Sequence, residues 1–320
     1  MVNIDLIDRK ILYELDKDAR VSLIDIAKKI RKSKQFVEYR IRKLTDSKVI
    51  LGYNTMIDMT ALGYKAFRIN LRLKSITDEQ RKAMIKQMIA DPEVWWYGHA
   101  EGSWSVCYAM AVKDGHDFNR YWEKVLNRHG HMFKDYLIIY YIDLTWYPSK
   151  FLVNDRNNDI QFSMLSRKET DIDETDKRIL NAIKNNARFN YLELEHELKL
   201  SRATIQKRIL RLQKEGVIVG YKLWFNEKML GYRFYKTYLK FNRWNEYTRL
   251  YEYCKRNPYM ITVNKTIGGA DFEIELKVKD LQHFEEIIEE LLTTFPGLVE
   301  SYEFVAFKTE DKMSFLPDDF

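Results

Sequence analysis

One long stretch occurs twice in this chain, and that repetition limits what the chain can fold into. Displaced by 168 positions against itself, Ile4–Tyr53 lies over Ile172–Tyr221 without a gap, and 15 of the 50 aligned residues are identical. The same offset carries Leu62-Gly63-Tyr64 onto Leu230-Gly231-Tyr232. The repeating unit is therefore a whole module rather than a motif. Within it, Ile7, Ile11, Leu12 and Leu15 recur at helical spacing, as do Ile179, Leu180 and Ile183. Ser22 with Asp25, and Asn190 with Glu193, read as capping boxes that open a second helix. Ser33 and Ser201 cap a third helix after a very short turn. Its inner face is Val37, Ile41 and Leu44 in one copy, and Ile205, Ile209 and Leu212 in the other. Two helices joined tightly, the second basic and amphipathic, make a helix-turn-helix pattern. Val49–Met56 and Val217–Phe225 read as strands, each serving as a wing and a lead into the next domain.

Charge separates a solvated surface helix from a reader of phosphate. The chain carries a formal net charge of +6. Residues 1–50 hold 13 Lys and Arg against 8 Asp and Glu, and residues 201–250 hold 12 against 3, whereas residues 251–320 hold 7 against 15. Positive charge is concentrated where the third helices lie, which is the footprint expected for a nucleic acid. Lys34, Gln35, Glu38, Arg202, Thr204 and Gln206, in the first turns of those helices, are the expected base contacts. Arg40, Arg42, Lys43, Lys207, Arg208 and Arg211 are the expected phosphate contacts. Arg40 and Arg208 are equally well explained as bridging arginines.

After each helical unit the period changes. Ala66–Leu73, Val94–Ala100, Ser103–Val112 and Tyr136–Thr145 read as strands, with helices at Thr77–Ala90 and Phe118–Leu126. The second copy repeats the order with strands at Phe234–Phe241, Ile261–Ile267, Asp271–Val278 and Val299–Phe307. The fold class expected is α+β: a tandem repeat of a winged helix-turn-helix followed by a ferredoxin-like βαββαβ domain. The boundaries are 1–58, 62–148, a linker at 149–170, 171–226 and 230–320.

At 46% apolar and 31% charged residues, the composition excludes a disordered chain. Met1-Val2-Asn3-Ile4-Asp5 shows no signal region, and Tyr136–Tyr147 is too short and too polar to span a bilayer. Cys107 and Cys254 stand alone, and His129 and His131 lack a third ligand, so no metal or cofactor is expected. A cytoplasmic, nucleoid-associated protein is expected. The cluster Trp95, Trp96, Tyr97, Trp104, Tyr108, Tyr140 and Trp146 reads as core or interface rather than a base-stacking platform.

A helix-turn-helix ending in Val49-Ile50-Leu51-Gly52-Tyr53, then Leu62-Gly63-Tyr64 and a βαββαβ pattern with a Gly-centred hairpin, resembles the Lrp/AsnC family, in its fused double-length form. The resemblance implies a non-enzymatic regulator of transcription that binds double-stranded DNA. It also implies pairing through the βαββαβ domains and, in many members, an amino-acid effector bound there. By that resemblance Gly268, Gly269 and Asp271 form an effector site, although a tight hairpin explains the glycines as well. The first copy has Gly102-Ser103-Trp104-Ser105 instead, with no carboxylate. The two βαββαβ domains either pair within one chain, as a pseudo-dimer with two unlike readers, or pair module to module between two chains; the second is expected as the commonest closed solution. Arg31 and Lys199 stand where the family often has Gly in the turn, so a differently shaped turn is expected. Two other readings remain at this point. One is a haem-pathway decarboxylase of the same two-part fold, for which Tyr97 and His99 are the suggestive residues. The other is an architectural DNA-binding protein.

Overall fold

The computed structural model describes residues 4–157, 160–165, 169–318 and 320. The reading of Met1–Asn3 lies outside them. In the first helical unit α1 (Leu6–Lys17) opens at Asp5, whose carboxylate and that of Asp8 exchange hydrogen bonds with each other's backbone N–H groups. Ser22 accepts from the Asp25 N–H to open α2 (Leu23–Ile30), and Ser33 opens α3 (Lys34–Asp46). In the second copy α6 (Glu174–Ile183), α7 (Tyr191–Leu198) and α8 (Arg202–Lys214) repeat the arrangement. The cap of α7 differs from expectation, because Asn190 accepts from the Leu192 N–H rather than from Glu193.

The turn is not reshaped. Arg31 (φ 56°) and Lys199 (φ 54°) both adopt the left-handed conformation that glycine would take without strain.

The strands after each unit do not act only within their own copy. β1 (Ile50–Ile57) and β7 (Ile218–Phe225) pair antiparallel with each other, joining the two helical units through a two-stranded ribbon. Each helical core is then completed by the other copy. Ile11, Leu12, Leu15, Ile26, Val37 and Leu44 pack with Leu223 and Phe225, while Ile179, Leu180, Ile205, Ile209 and Leu212 share a cluster with Ala19, Met56 and Ile57.

The expected pair of ferredoxin-like sheets is one closed sheet. The first copy supplies β2 (Lys65–Leu73), β3 (Val94–Gly102), β4 (Val106–Val112) and β5 (Phe133–Trp146), with helices α4 (Asp78–Ala90) and α5 (Gly115–His129). The second supplies β8 (Arg233–Phe241), β9 (Met260–Ile267), β10 (Phe272–Val278) and β11 (Val299–Met313), with α9 (Tyr247–Arg256) and α10 (Leu281–Thr294). Their order is β2-β4-β3-β11-β8-β10-β9-β5, and β5 returns to β2, so eight strands form a barrel. Closure is reciprocal. The first half of β5 pairs with β2 and its second half with β9, while the first half of β11 pairs with β8 and its second half with β3.

Two expectations change as a result. The pairing predicted between two chains is made within one chain. The segment predicted as a linker holds a helical turn at Lys150–Leu152 and a strand, β6 (Phe162–Leu165), which adds to β5; residues 158, 159 and 166–168 lie outside the described residues. Trp95, Trp96, Trp104 and Trp146 are core side chains of the seam, clustered with Phe234, Phe307 and Phe315 of the second copy.

Candidate nucleic-acid interface

The first turn of α3 presents Lys34, Gln35 and Glu38 to solvent. In α8 Arg202 is exposed, with its guanidinium 5.6 Å from the centre of the Tyr191 ring, and Gln206 is half-buried. Thr204 points back toward the cap, its hydroxyl 2.9 Å from that of Ser201. The inward faces dictate this orientation: Val37 and Leu44 in one helix, and Ile205, Ile209 and Leu212 in the other, are buried, so the intervening residues face out.

The predicted phosphate contacts divide. Arg42, Lys43 and Lys207 are exposed. Arg40 instead donates from Nη1 to Asp5 at 2.9 Å and to Asp8 at 3.1 Å, tying α3 to the capped start of α1. Burial works against its charge, but those two carboxylates raise its pKa above the usual guanidinium range. Arg208 repeats the bridge to Asp173 at 2.6 Å and to Asp176 at 3.2 Å, and Arg211 also bonds Asp176. These arginines hold α3 and α8 against the capped starts of α1 and α6.

Other outward residues were not singled out from the sequence. Tyr39 is 61% exposed and Leu210 is 64% exposed, both on the outer faces of α3 and α8. Helical spacing placed them outward, but an apolar residue there carries no charge signal. An exposed leucine on a reading helix suits contact with a thymine methyl group.

The two helical units are clamped by matched contacts. Ala187 N donates to Tyr53 O at 2.8 Å, and Ala19 N donates to Tyr221 O at 2.9 Å. Arg20 Nη1 donates to Ala187 O and Arg188 Nη1 to Ala19 O, each at 2.7 Å. These are the same positions of the repeat, exchanged across a pseudo-two-fold axis. Two outward-facing basic helices are thus held at one mutual orientation.

The predicted effector residues sit elsewhere, at the hairpin between β9 and β10. Gly268 has φ 86°, and a Cβ there would stand 2.8 Å from the Ile138 carbonyl oxygen of the first copy. Gly102 makes the matching approach, 3.1 Å from Phe304 O. Barrel closure therefore accounts for both glycines. A Cβ on Gly269 would meet Glu273 at 3.0 Å. Asp271 Oδ2 accepts the Phe241 N–H at 2.8 Å, and Lys240 lies 3.8 Å from Oδ1. Tyr97 is fully buried against Tyr108, and Cys107 and Cys254 are buried free thiols. Among the described residues no His, Cys, Asp and Glu converge as a metal site, and no helix is long and apolar enough to cross a membrane.

Two clamped helix-turn-helix readers on a closed mixed α/β barrel define a class of DNA-binding architecture. A model described as winged helix-turn-helix DNA-binding matches residues 4–50 and 172–219. The chain is 31% identical over 121 residues to the leucine-responsive regulatory protein of Rhizobium meliloti, covering 37% of this chain and 78% of that one. It is 23% identical over 146 residues to the HTH-type transcriptional regulator FL11 of Pyrococcus horikoshii, covering 46% and 96%. The chain belongs to the Lrp/AsnC family, in a double-length form: each of these two relatives aligns with less than half of it.

Solved structures of one enzyme are similar over nearly all of the chain. The siroheme decarboxylase NirDL matches with a TM-score of 0.64 at 14% identity, covering 98% of this chain and 94% of that one. The expectation of a non-enzymatic chain is corrected by this finding, because the full-length architecture is shared with an enzyme. Helix-turn-helix residues by themselves carried no information on that point.

Proposed function

We propose that this protein regulates transcription by binding double-stranded DNA through α3 and α8, as a cytoplasmic, nucleoid-associated protein. The observation that carries the reading is the clamp: two basic helices face outward at an orientation fixed by reciprocal contacts of Arg20 and Arg188. Lys34, Gln35, Glu38, Arg202 and Gln206 read base edges, and Arg42, Lys43 and Lys207 meet phosphates. Because the pairing surfaces are used within one chain, a single chain is the reading unit. Its two heads differ, Glu38 in one standing where Gln206 stands in the other, so the operator has unlike half-sites. Selection of bound sequences from random DNA at physiological salt tests this. Recovery of no preferred sequence would instead favour an architectural binder.

An amino-acid effector at Gly268, Gly269 and Asp271 is part of the proposal. Its amine would compete with the Phe241 N–H and Lys240 for the Asp271 carboxylate. A shift in thermal stability with an added amino acid supports it, and none with any amino acid removes it.

The full-length likeness to NirDL favours a second reading, decarboxylation of an iron tetrapyrrole carboxylate. Anaerobic incubation with siroheme, and mass spectrometry for loss of carbon dioxide, separates it from the first.

A further inference from the structure

The barrel interior holds a charged network built from both copies. Arg68 on β2 donates from both terminal nitrogens to the Glu273 carboxylate on β10, each bond 2.6 Å long, and both side chains are fully buried. Lys236 on β8 lies 3.4 Å from Glu273 and 2.6 Å from Glu275. Around them Arg68 Nε donates to Asn70, and Asn70 donates to the Tyr238 hydroxyl of the second copy.

The strand registers show which of these positions correspond. Arg68 pairs with Ala109 across β2 and β4, as Lys236 pairs with Glu275 across β8 and β10. Arg68 therefore matches Lys236, while Cys107 and Ala109 stand where the second copy has Glu273 and Glu275. The first copy contributes one buried cation and no carboxylate to the network. The second contributes one cation and two carboxylates. Joined as they are, the halves are neutral. Two first copies would bury two cations without a counter-ion, and two second copies would bury four carboxylates against two lysines. A separate group of Glu227 and Glu310 with Lys277 belongs wholly to the second copy, and it leaves that ordering unchanged. A buried charge left without its partner is strongly destabilising, whereas a fully paired one is tolerated.

We propose that this network makes the two barrel halves obligate unlike partners, so that each closes only against the other kind and never against its own kind from a second chain. The tether favours closure within the chain, and the charges exclude the like-with-like pairings that a second chain would otherwise offer. The two unlike reading heads then always occur together in one barrel, and no symmetric pair of readers forms by exchange.

The test uses the full chain, labelled in separate batches with donor and acceptor dyes, then unfolded, mixed and refolded. Energy transfer between chains and mass by light scattering are read over a range of concentrations. Wild type is expected to return as single chains without transfer. The double variant Arg68→Met with Glu273→Gln makes like-with-like pairing neutral, and transfer several-fold above wild type is expected, with dimers growing as concentration rises. The double variant Lys236→Met with Glu275→Gln also removes one cation and one carboxylate but leaves Arg68 opposite Glu273. It is expected to stay single. Should the first variant not fold, Arg68→Met with Glu275→Gln equalises the halves in the same way. Absence of transfer in a folded equalised variant, or transfer in wild type, overturns the proposal.

Discussion

Arg20 of the first helical unit donates to the carbonyl oxygen of Ala187 in the second, and Arg188 returns the same bond to Ala19. The Arg20 guanidinium also lies 3.8 Å from the centre of the Phe189 ring, so the contact is packed as well as hydrogen-bonded. If this clamp sets the separation of the readers, Arg20→Ala with Arg188→Ala weakens binding to a two-half-site operator by roughly tenfold, or about 1.4 kcal/mol. Binding to a single half-site is expected to stay unchanged. Fluorescence anisotropy on both DNAs checks this, and equal losses on the two would show that the clamp serves only folding.

The exposed cations and the bridging ones are expected to part ways on mutation. Gln206→Ala or Arg202→Ala costs about 1–3 kcal/mol on the preferred sequence and relaxes preference there. Lys43→Ala or Lys207→Ala weakens all sequences alike and lowers the salt slope by about one. Arg40→Ala acts first on thermal stability, because it leaves the buried Asp8 carboxylate short of its partner.

Arg31 and Lys199 hold left-handed backbone at a cost of roughly 1–2 kcal/mol each, part of which glycine would return as looser unfolded chain. Arg31→Gly and Lys199→Gly are each expected to stabilise the protein by about 0.5–1 kcal/mol in urea unfolding. A loss of stability would mean that the side chains pack more tightly than their exposure suggests.

Acid is expected to loosen the barrel in a defined window. Burial would raise the Glu273 carboxyl, but Arg68 and Lys236 outweigh it and hold its pKa down to about 2, against an ordinary 4.5. The folded state therefore binds this proton less readily than the unfolded chain does. The resulting stability is present above pH 4.5 and is lost as the pH falls from there toward 2. Thermal unfolding measured across that window should show a steep acid limb, flattened by Glu273→Gln.

At the hairpin, Gly268→Ala is expected to destabilise the barrel whether or not a ligand exists, since the new methyl meets Ile138 O at 2.8 Å with φ at 86°. Asp271→Asn keeps the shape and removes the charge. Comparing the two in amino-acid titrations by thermal shift separates an effector site from a structural turn. A ligand response left intact in Asp271→Asn would rule out the carboxylate as its anchor.

Much of this molecule is written locally. Ser22, Ser33 and Ser201 start helices because a side-chain oxygen satisfies a backbone N–H a few residues on, and apolar spacing puts Val37 and Ile205 inside. The outward placement of Lys34, Gln35 and Glu38 comes from that spacing alone. Two helix-turn-helix units, two βαββαβ orders and the repeat that relates them could therefore be read from the residues in line. Which groups would meet across the chain could not. Arg40 and Arg42 are both basic residues on one helix, and only the proximity of Asp5 and Asp8 makes one a brace and leaves the other exposed. Likewise β11 runs on to Met313 because β3 of the other copy offers a free edge there, and Glu273 became a buried partner of Arg68 from 205 residues away. Periodicity and caps are set by near neighbours, so they survive in any window of the chain. Strand pairing, charge neutralisation and barrel closure depend on distant groups brought together, and they take shape only when the whole chain has folded.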